Sequence, residues 1–177
     1  MAVIAVYNLK GGVGKTSLAV NLAWCSAVAS ARRTLLWDLD AQAAASFILT
    51  DEPEPRDEAR AIFAKDVKPE KLVRATRIPG LDLIAADMSL RGLDRLFFDL
   101  AKKKRLQKLI ERLDGDYERI ILDAPPGLTE TSEQIVRAAD IVLVPVIPSP
   151  LSERAFHEVQ QHFQTQGGHP PMLPVYS

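Results

Sequence analysis

The sequence predicts an α/β fold with a doubly wound, mostly parallel sheet flanked by helices. Three observations support it: short apolar runs alternate with longer segments of helical period, the runs show no clear polar alternation, and a glycine-rich turn follows the first of them. Parallel strands are covered on both faces, so they consist of continuous Ile, Val and Leu runs. Repetition of strand and helix is the pattern of a sheet built from βαβ units.

Each element is predicted from its length and pattern. The predicted strands are apolar runs of four to six residues at 2–7, 34–37, 81–85, 119–122, 141–146 and 172–176. The predicted helices, where apolar residues recur at helical spacing, cover 16–30, 89–113, 130–138 and 152–165. Residues 51–60 contain two prolines and several acids, which predicts an exposed loop.

Length and composition limit the class of protein. The 177 residues suit one domain spanning 1–177, and 47% hydrophobic with 25% charged residues excludes a disordered chain. The longest apolar runs have strand length, so no membrane segment is expected, and no secretory signal is visible. The single cysteine, Cys25, excludes an internal disulfide and is expected in the core, as are Trp24 and Trp37. A cytoplasmic location follows as the default.

A glycine loop directly after the first strand carries the chemistry. Its residues are Lys10, Gly11, Gly12, Val13, Gly14, Lys15, Thr16 and Ser17. Glycines let the backbone turn tightly and point successive N–H groups inward, and the following helix adds its positive end, so the loop is expected to bind phosphate. We expect Lys15 to reach the β- and γ-phosphates of ATP and the Thr16 hydroxyl to ligate Mg²⁺. A plain strand–helix connector would not need the order Gly-Lys-Thr.

The run KGGVGKT resembles the deviant Walker A motif of the ParA/MinD family of P-loop ATPases. Two later segments are similar to further motifs of that family: LLWDLDAQ at 35–42 to a strand ending in Asp-x-Asp-Pro-Gln, and IILDAPPG at 120–127 to the Walker B strand. Residues 139–152 resemble the next strand and its proline-rich exit. The resemblance covers nearly the whole chain and departs from the family at Ala41, where the family has proline.

The resemblance implies a role for three further residues. Lys10 matches the lysine that reaches across a sandwich dimer to the partner's ATP, with the logic of an arginine finger. Asp40 matches the catalytic aspartate that positions the attacking water, although a carboxylate that caps the next helix is the alternative. Asp123 matches the residue that holds Mg²⁺ through water. Strand periodicity would place Asp38 and Asp40 on one face, so only the family pattern favours Asp40.

The function implied is a ParA-like ATPase that binds Mg-ATP, forms an ATP-sandwich dimer and hydrolyses ATP slowly, with stimulation by an adaptor protein. Its cargo would be DNA or another cellular component, which adds a nucleoid location to the cytoplasmic one. A MinD-like membrane-cycling ATPase is the first alternative, but it needs a C-terminal amphipathic basic helix that this sequence does not show. A metabolic P-loop phosphotransfer or ligase enzyme is the second. Family members generally continue past the last predicted strand, so a C-terminal segment is expected to be missing.

A basic segment at 91–112 is the predicted contact for DNA. The segment contains eight basic residues and only three acidic ones. The basic residues are Arg91, Arg95, Lys102, Lys103, Lys104, Arg105, Lys108 and Arg112, and the acidic ones are Asp94, Asp99 and Glu111. Phosphate-backbone binding would explain this excess, and a solvated helix face is the alternative.

Overall fold

The structure of the protein, a computed structural model, describes residues 1–50, 59–64, 67–100, 104–165 and 169–176. Within these ranges seven strands form one sheet: β1 (Ala2–Val6), β2 (Thr34–Asp38), β3 (Val73–Ala75), β4 (Leu81–Ile84), β5 (Arg119–Asp123), β6 (Ile141–Val146) and β7 (Met172–Tyr176). Their order across the sheet is β3-β4-β2-β5-β1-β6-β7. All neighbouring pairs are parallel except β3 with β4. The predicted fold class is therefore confirmed.

Helices cover both faces of this sheet. The α-helices of the described ranges are α1 (Lys15–Trp24), α2 (Ala44–Leu49), α3 (Ala61–Ala64), α4 (Leu93–Leu100), α5 (Arg105–Glu111), α6 (Glu130–Ala138) and α7 (Pro150–Thr165). Successive residues of β2 enter opposite cores: Leu36 packs in a cluster with Ala19 of α1, whereas Leu35 and Trp37 belong to the cluster that contains Ile135 of α6. This alternation explains why the strands carry no polar face.

The predicted helix at 89–113 is wrong as a single element. A 3-10 helix (Met88–Gly92) comes first, followed by α4 and then by α5, and residues 101–103 between the last two lie outside the described ranges. The 3-10 helix begins where the Asp87 carboxylate accepts the Ser89 N–H at 2.8 Å. Lys104, the N-cap residue of α5, has φ −128° and ψ 26°, so the helical backbone is interrupted there although the apolar residues alone suggest one long helix.

Three other expectations need correction. The end of the predicted helix at 16–30 is a π-helix (Cys25–Ala29), and both Cys25 and Trp24 are exposed rather than in the core. Of the expected loop at 51–60, residues 51–58 lie outside the described ranges, but Ala59 is buried and its N–H donates to Asp87 at 3.0 Å. The short elements β3, α2 and α3 were not predicted. No helix of the described chain is long and apolar enough to cross a membrane.

Candidate nucleotide-binding site

The glycine loop leaves the centre of the sheet, because β1 lies between β5 and β6. Gly12 and Gly14 have φ values of 72° and 85°, in the left-handed region that side chains rarely adopt. A Cβ at either glycine would meet no atom within 4 Å, so the loop borders open space. The loop therefore presents its backbone to a ligand at the N-terminus of α1, as the sequence predicts.

Lys15 begins α1 and is buried, with 7% of its surface exposed. Its ammonium bends back over the loop and donates to the Lys10 carbonyl oxygen at 2.9 Å. Burial lowers the pKa of Lys15, and the negative charges of Asp123 and Asp40 counteract this only in part. The cation thus lies where a phosphate on the loop would need it.

Asn8 anchors the loop, although it was not among the site residues predicted from the sequence. Its buried amide donates from Nδ2 to the Pro145 carbonyl of β6 at 2.7 Å, while Oδ1 accepts the Lys10 N–H at 3.0 Å. Asn8 therefore ties the first residues of the loop to the neighbouring strand. A polar residue between a buried strand and a glycine loop is the signal that could have identified it.

Asp123 ends β5 at the same edge of the sheet, and only 1% of its surface is exposed. Burial, together with the charges of Asp38 and Asp40, raises its pKa to about 7. The Thr16 hydroxyl and the Lys15 ammonium lie near enough to oppose part of this rise in pKa. Neither carboxylate oxygen of Asp123, however, has a hydrogen-bond partner within the usual distance and angle limits. A buried carboxylate without a partner is unfavourable unless a cation compensates it. Asp123 and Thr16 therefore fit Mg²⁺.

Asp38 and Asp40 have different surroundings. Asp38 is fully buried; Oδ1 accepts the Asp40 N–H at 3.1 Å, and Oδ2 accepts the Ser46 N–H at 2.9 Å and its hydroxyl at 2.8 Å. Burial outweighs these bonds and raises the pKa of Asp38 to about 6. Asp40 lies beyond the end of β2, so strand periodicity does not place it on the same face as Asp38. It is half-buried, and its Oδ1 accepts the Gln42 N–H at 2.9 Å.

Asp40 does not cap the next helix. The N-cap residue of α2 is Ala43, which makes no side-chain capping bond. Asp40 instead acts electrostatically on the site, because its charge raises the pKa values of both Lys15 and Asp123. Among the described residues no group of three His, Cys, Asp or Glu side chains could hold a metal ion alone. Mg²⁺ commonly keeps waters and phosphate oxygens among its ligands, so one or two protein oxygens suffice.

Lys10 is exposed, and its ammonium donates to the Leu151 carbonyl near the start of α7 at 3.2 Å. Of the other loop residues, Gly11 and Ser17 are exposed and Val13 is buried. The sequence-predicted residues of the loop, with Asp40 and Asp123, thus meet at the carboxyl edge of the sheet.

Two arginines in the described part of the basic segment at 91–112 contact other elements of the chain. Lys102 and Lys103 lie outside the described ranges. Arg105 donates to the Ile62 carbonyl at 3.3 Å, and Arg112 lies 4.0 Å from Glu70. These arginines connect elements of the chain, which reduces the charge that the segment presents to a partner.

Comparison with known proteins shows the family of the chain. A family model described as an AAA domain matches residues 1–166. The chain belongs to the ParA/MinD family of P-loop ATPases. It is 34% identical over 146 residues to the sporulation initiation inhibitor protein Soj of Bacillus subtilis, covering 81% of this chain and 57% of Soj. It is 34% identical over 150 residues to the chromosome partitioning protein ParA of Caulobacter vibrioides, covering 82% of this chain and 56% of ParA.

Two solved structures extend the comparison to nearly the whole chain. An ATP complex of a Cyanothece McdA variant has a TM-score of 0.86 at 22% identity, covering 99% of this chain and 69% of McdA, and shows the shared fold. Cobyrinic acid a,c-diamide synthase from Mycobacterium smegmatis, bound to an ATP analog and magnesium, has a TM-score of 0.84 at 27% identity. The match covers 99% of this chain and 74% of the synthase. The chain spans little more than half the length of the curated relatives above.

Proposed function

We propose that this chain is the nucleotide-binding part of a ParA-like ATPase. It binds Mg-ATP, closes into a dimer around two ATP molecules and hydrolyses ATP to partition or position DNA or another cargo. The observation that carries the proposal is the placement of Lys15 and Thr16, at the start of α1, beside the buried and unpartnered carboxylate of Asp123. The similarity to Soj and ParA supports the partition role.

Each residue of the loop has a part in this function. Backbone N–H groups of the loop bind phosphate oxygens, with residues Lys10, Gly11, Gly12, Val13, Gly14, Lys15, Thr16 and Ser17 forming the cradle. The Lys15 ammonium exchanges its bond to the Lys10 carbonyl for charge-assisted bonds to phosphate, which are stronger. Thr16 and Asp123 hold Mg²⁺, which when bound neutralises charge on the phosphates.

Asp40 is the residue that orients the attacking water. It is less buried than Asp38, which already accepts three hydrogen bonds, and it lies close enough to Lys15 and Asp123 to shift their pKa values. A water near the transferred phosphate could therefore be held by Asp40 and not by Asp38. Positioning of this kind supplies much of the catalysis in phosphoryl transfer.

Lys10 is the residue that completes the partner's site. Its ammonium is exposed and held by one hydrogen bond to a carbonyl, which typically contributes only about 1 kcal/mol. It can therefore leave Leu151 and reach the ATP of a second copy at little cost. Hydrolysis that depends on a residue from the partner is slow in the monomer, which gives an adaptor protein a step to accelerate.

A single experiment tests the core of the proposal. The purified chain is incubated with ATP and Mg²⁺, with ATP and EDTA, or with ADP and Mg²⁺, and its mass is measured by light scattering during size exclusion while phosphate release is followed. A dimer formed only with Mg-ATP, together with phosphate release that rises more than linearly with protein concentration, supports the proposal. A chain that stays monomeric and releases no phosphate contradicts it.

A metabolic P-loop phosphotransfer or ligase enzyme is the second candidate. The similarity to the solved cobyrinic acid a,c-diamide synthase, at 27% identity, favours it. Such an enzyme would consume ATP only with a second small substrate and would not need Lys10. The two candidates differ when no second substrate is present. Phosphate release by the wild type that is lost in Lys10→Ala, without loss of ATP binding, supports the ParA-like function, whereas ATP binding without phosphate release by the wild type favours the metabolic one.

A further inference from the structure

Ser46 is a buried serine of α2 that connects the ends of two strands. Its hydroxyl donates to Asp38 Oδ2 at 2.8 Å and accepts the Ala86 N–H at 2.9 Å. Its backbone N–H donates to the same carboxylate oxygen at 2.9 Å. Since Asp38 ends β2 and Ala86 follows β4, this one side chain joins the carboxyl ends of neighbouring strands.

Asp38 transmits this connection to Asp40. The carboxylate oxygen that does not contact Ser46, Oδ1, accepts the Asp40 N–H at 3.1 Å. The chain leaves the sheet here, and the next backbone bond, from the Leu39 N–H to the Asp123 carbonyl at 3.0 Å, ties it to β5. The position of the Asp40 backbone therefore depends on the orientation of the Asp38 carboxylate, which Ser46 fixes.

We propose that Ser46 is a positioning residue for Asp40 and acts through the Asp38 carboxylate. The inference rests on the proposed function, in which Asp40 orients the attacking water. Without the hydroxyl, Asp38 loses one of its three donors and the buried Ala86 N–H loses its acceptor, so the carboxylate can rotate. Displacement of a catalytic group by about 1 Å can lower a rate by roughly a hundredfold.

ATP binding does not depend on this connection. The contacts of Ser46 reach Asp38 and Ala86 and include none of the loop residues that bind phosphate. Loss of the hydroxyl should therefore lower the hydrolysis rate and leave ATP affinity unchanged. A purely structural role would instead lower stability and reduce the active fraction of the protein.

Ser26 provides a matched control. It is as buried as Ser46, and its hydroxyl shares a 2.7 Å hydrogen bond with the Thr34 hydroxyl. Thr34 begins β2 whereas Asp38 ends it, so this bond lies at the opposite edge of the sheet from the site. Removal of the Ser26 hydroxyl costs a buried hydrogen bond without touching Asp40.

The test compares Ser46→Ala, Ser46→Thr and Ser26→Ala in the full chain. We expect Ser46→Ala to lower the phosphate release rate at saturating Mg-ATP by about 10- to 100-fold, with ATP Kd within about twofold of the wild type. Ser46→Thr retains the hydroxyl and should restore the rate to within about threefold. Ser26→Ala should lower Tm like Ser46→Ala but keep the wild-type rate.

Several results would overturn the inference. One is a wild-type rate in Ser46→Ala, and another is an equal loss of rate in Ser26→Ala. A parallel loss of ATP affinity would also overturn it. If Ser46→Ala does not fold, Ser46→Cys keeps an atom at the γ position with a much weaker donor and takes its place in the same comparison. A wild-type chain that hydrolyses no ATP contradicts the proposed function itself, and that result is separate from any difference among the variants.

Discussion

Three carboxylates at the carboxyl edge of the sheet differ in how their charge is balanced. Asp38 accepts three hydrogen bonds, Asp40 is half-exposed with a local backbone bond, and Asp123 is buried without a hydrogen-bond partner. Asp38 and Asp123 are directly paired in β2 and β5, and the negative charge of Asp38 raises the pKa of Asp123. This arrangement suits one structural carboxylate, one that faces a water and one that faces a cation.

Lys15→Ala should abolish ATP binding. The change removes the buried ammonium that lies over the loop, and with it the charge-assisted bonds to phosphate. We expect affinity to fall by at least about a hundredfold, which isothermal titration calorimetry with Mg-ATP can measure. Lys71→Ala, at an exposed lysine of a separate 3-10 helix, is the control. Undiminished affinity in Lys15→Ala would contradict the assignment of the glycine loop.

Asp40→Ala should separate binding from hydrolysis. In the proposed function Asp40 orients water and takes no part in phosphate binding, so ATP affinity should stay near the wild-type value. Hydrolysis should fall by about a hundredfold or more, and the ATP-bound dimer should persist during size exclusion. Asp38→Ala should lower Tm as well as the hydrolysis rate, because it leaves the donors of Ser46 unpaired and removes the acceptor of the Asp40 N–H. A wild-type hydrolysis rate in Asp40→Ala would move the catalytic role elsewhere.

Asp123 should make stability depend on pH in the absence of nucleotide. Its pKa rises from 3.8 to about 7 in the folded chain, so between these values the folded state retains a proton that the unfolded state has lost. The folded state is therefore stabilised at low pH, and this stabilisation is lost as pH rises through about 7. The contribution is at most about 4 kcal/mol.

Thermal melts in EDTA between pH 5 and pH 8 would measure the contribution of Asp123 to the pH dependence of stability. Asp123→Asn should flatten the curve and raise Tm at pH 8 relative to the wild type, while Glu111→Gln, at an exposed position, should leave the curve unchanged. Mg-ATP should raise Tm at pH 8 more for the wild type than for Asp123→Asn, because the variant lacks the carboxylate that would hold Mg²⁺. A wild-type curve for Asp123→Asn would show that the carboxylate is compensated by other groups.

Among the helices and strands, those whose bounds depend on core packing were predictable from the sequence, and those whose bounds depend on local contacts were not. The strands β6 and β7 and the helix α6 have the predicted bounds, because apolar runs and a capping sequence define them. The break before α5 lies at Lys104, whose non-helical backbone interrupts an apolar pattern that continues on both sides. The strand β3 has only three residues at a sheet edge, which is too short for periodicity to show.

The site shows the same division. The glycine loop is predictable because its backbone conformation demands glycine at fixed positions, and Gly12 and Gly14 adopt that conformation. Asn8 and Ser46 were not predicted, because their importance arises from contacts with β6 and with the segment after β4. Trp24 was assigned to the core from its hydrophobicity, yet it lies on the outer side of α1.

The start of α6 offers a test at this scale. Thr129 and Ser132 form a capping box: the Thr129 hydroxyl accepts the Ser132 N–H at 3.3 Å, and the Ser132 hydroxyl accepts the Thr129 N–H at 2.8 Å. Thr129→Ala should lower the free energy of unfolding by about 1 kcal/mol. Urea denaturation measures this change, with Thr165→Ala at the exposed end of α7 as control. Equal stability of both variants would contradict a capping role.

For the whole molecule, the proposed function makes dimerisation the step that joins nucleotide to cargo. In that proposal one chain contributes its glycine loop, Asp40 and Asp123 to one site, and its exposed Lys10 reaches the site of a second copy. Two copies closed around ATP also align two weak surfaces, and linkage raises their effective concentration for a long ligand such as DNA. DNA binding should therefore require ATP even though no DNA contact involves the nucleotide.

The last prediction concerns that surface. Charge reversal of Lys102, Lys103 and Lys104 together should lower ATP-dependent affinity for unrelated DNA duplexes and leave ATP affinity unchanged. Because phosphate contacts release counterions, wild-type binding should not depend on sequence and should weaken steeply between two salt concentrations, and the triple variant should show a shallower dependence. Fluorescence anisotropy measures both, with Lys71→Glu as a single-charge control on another element. Unchanged DNA binding in the triple variant would make this segment a solvated surface and place the DNA contact elsewhere on the dimer.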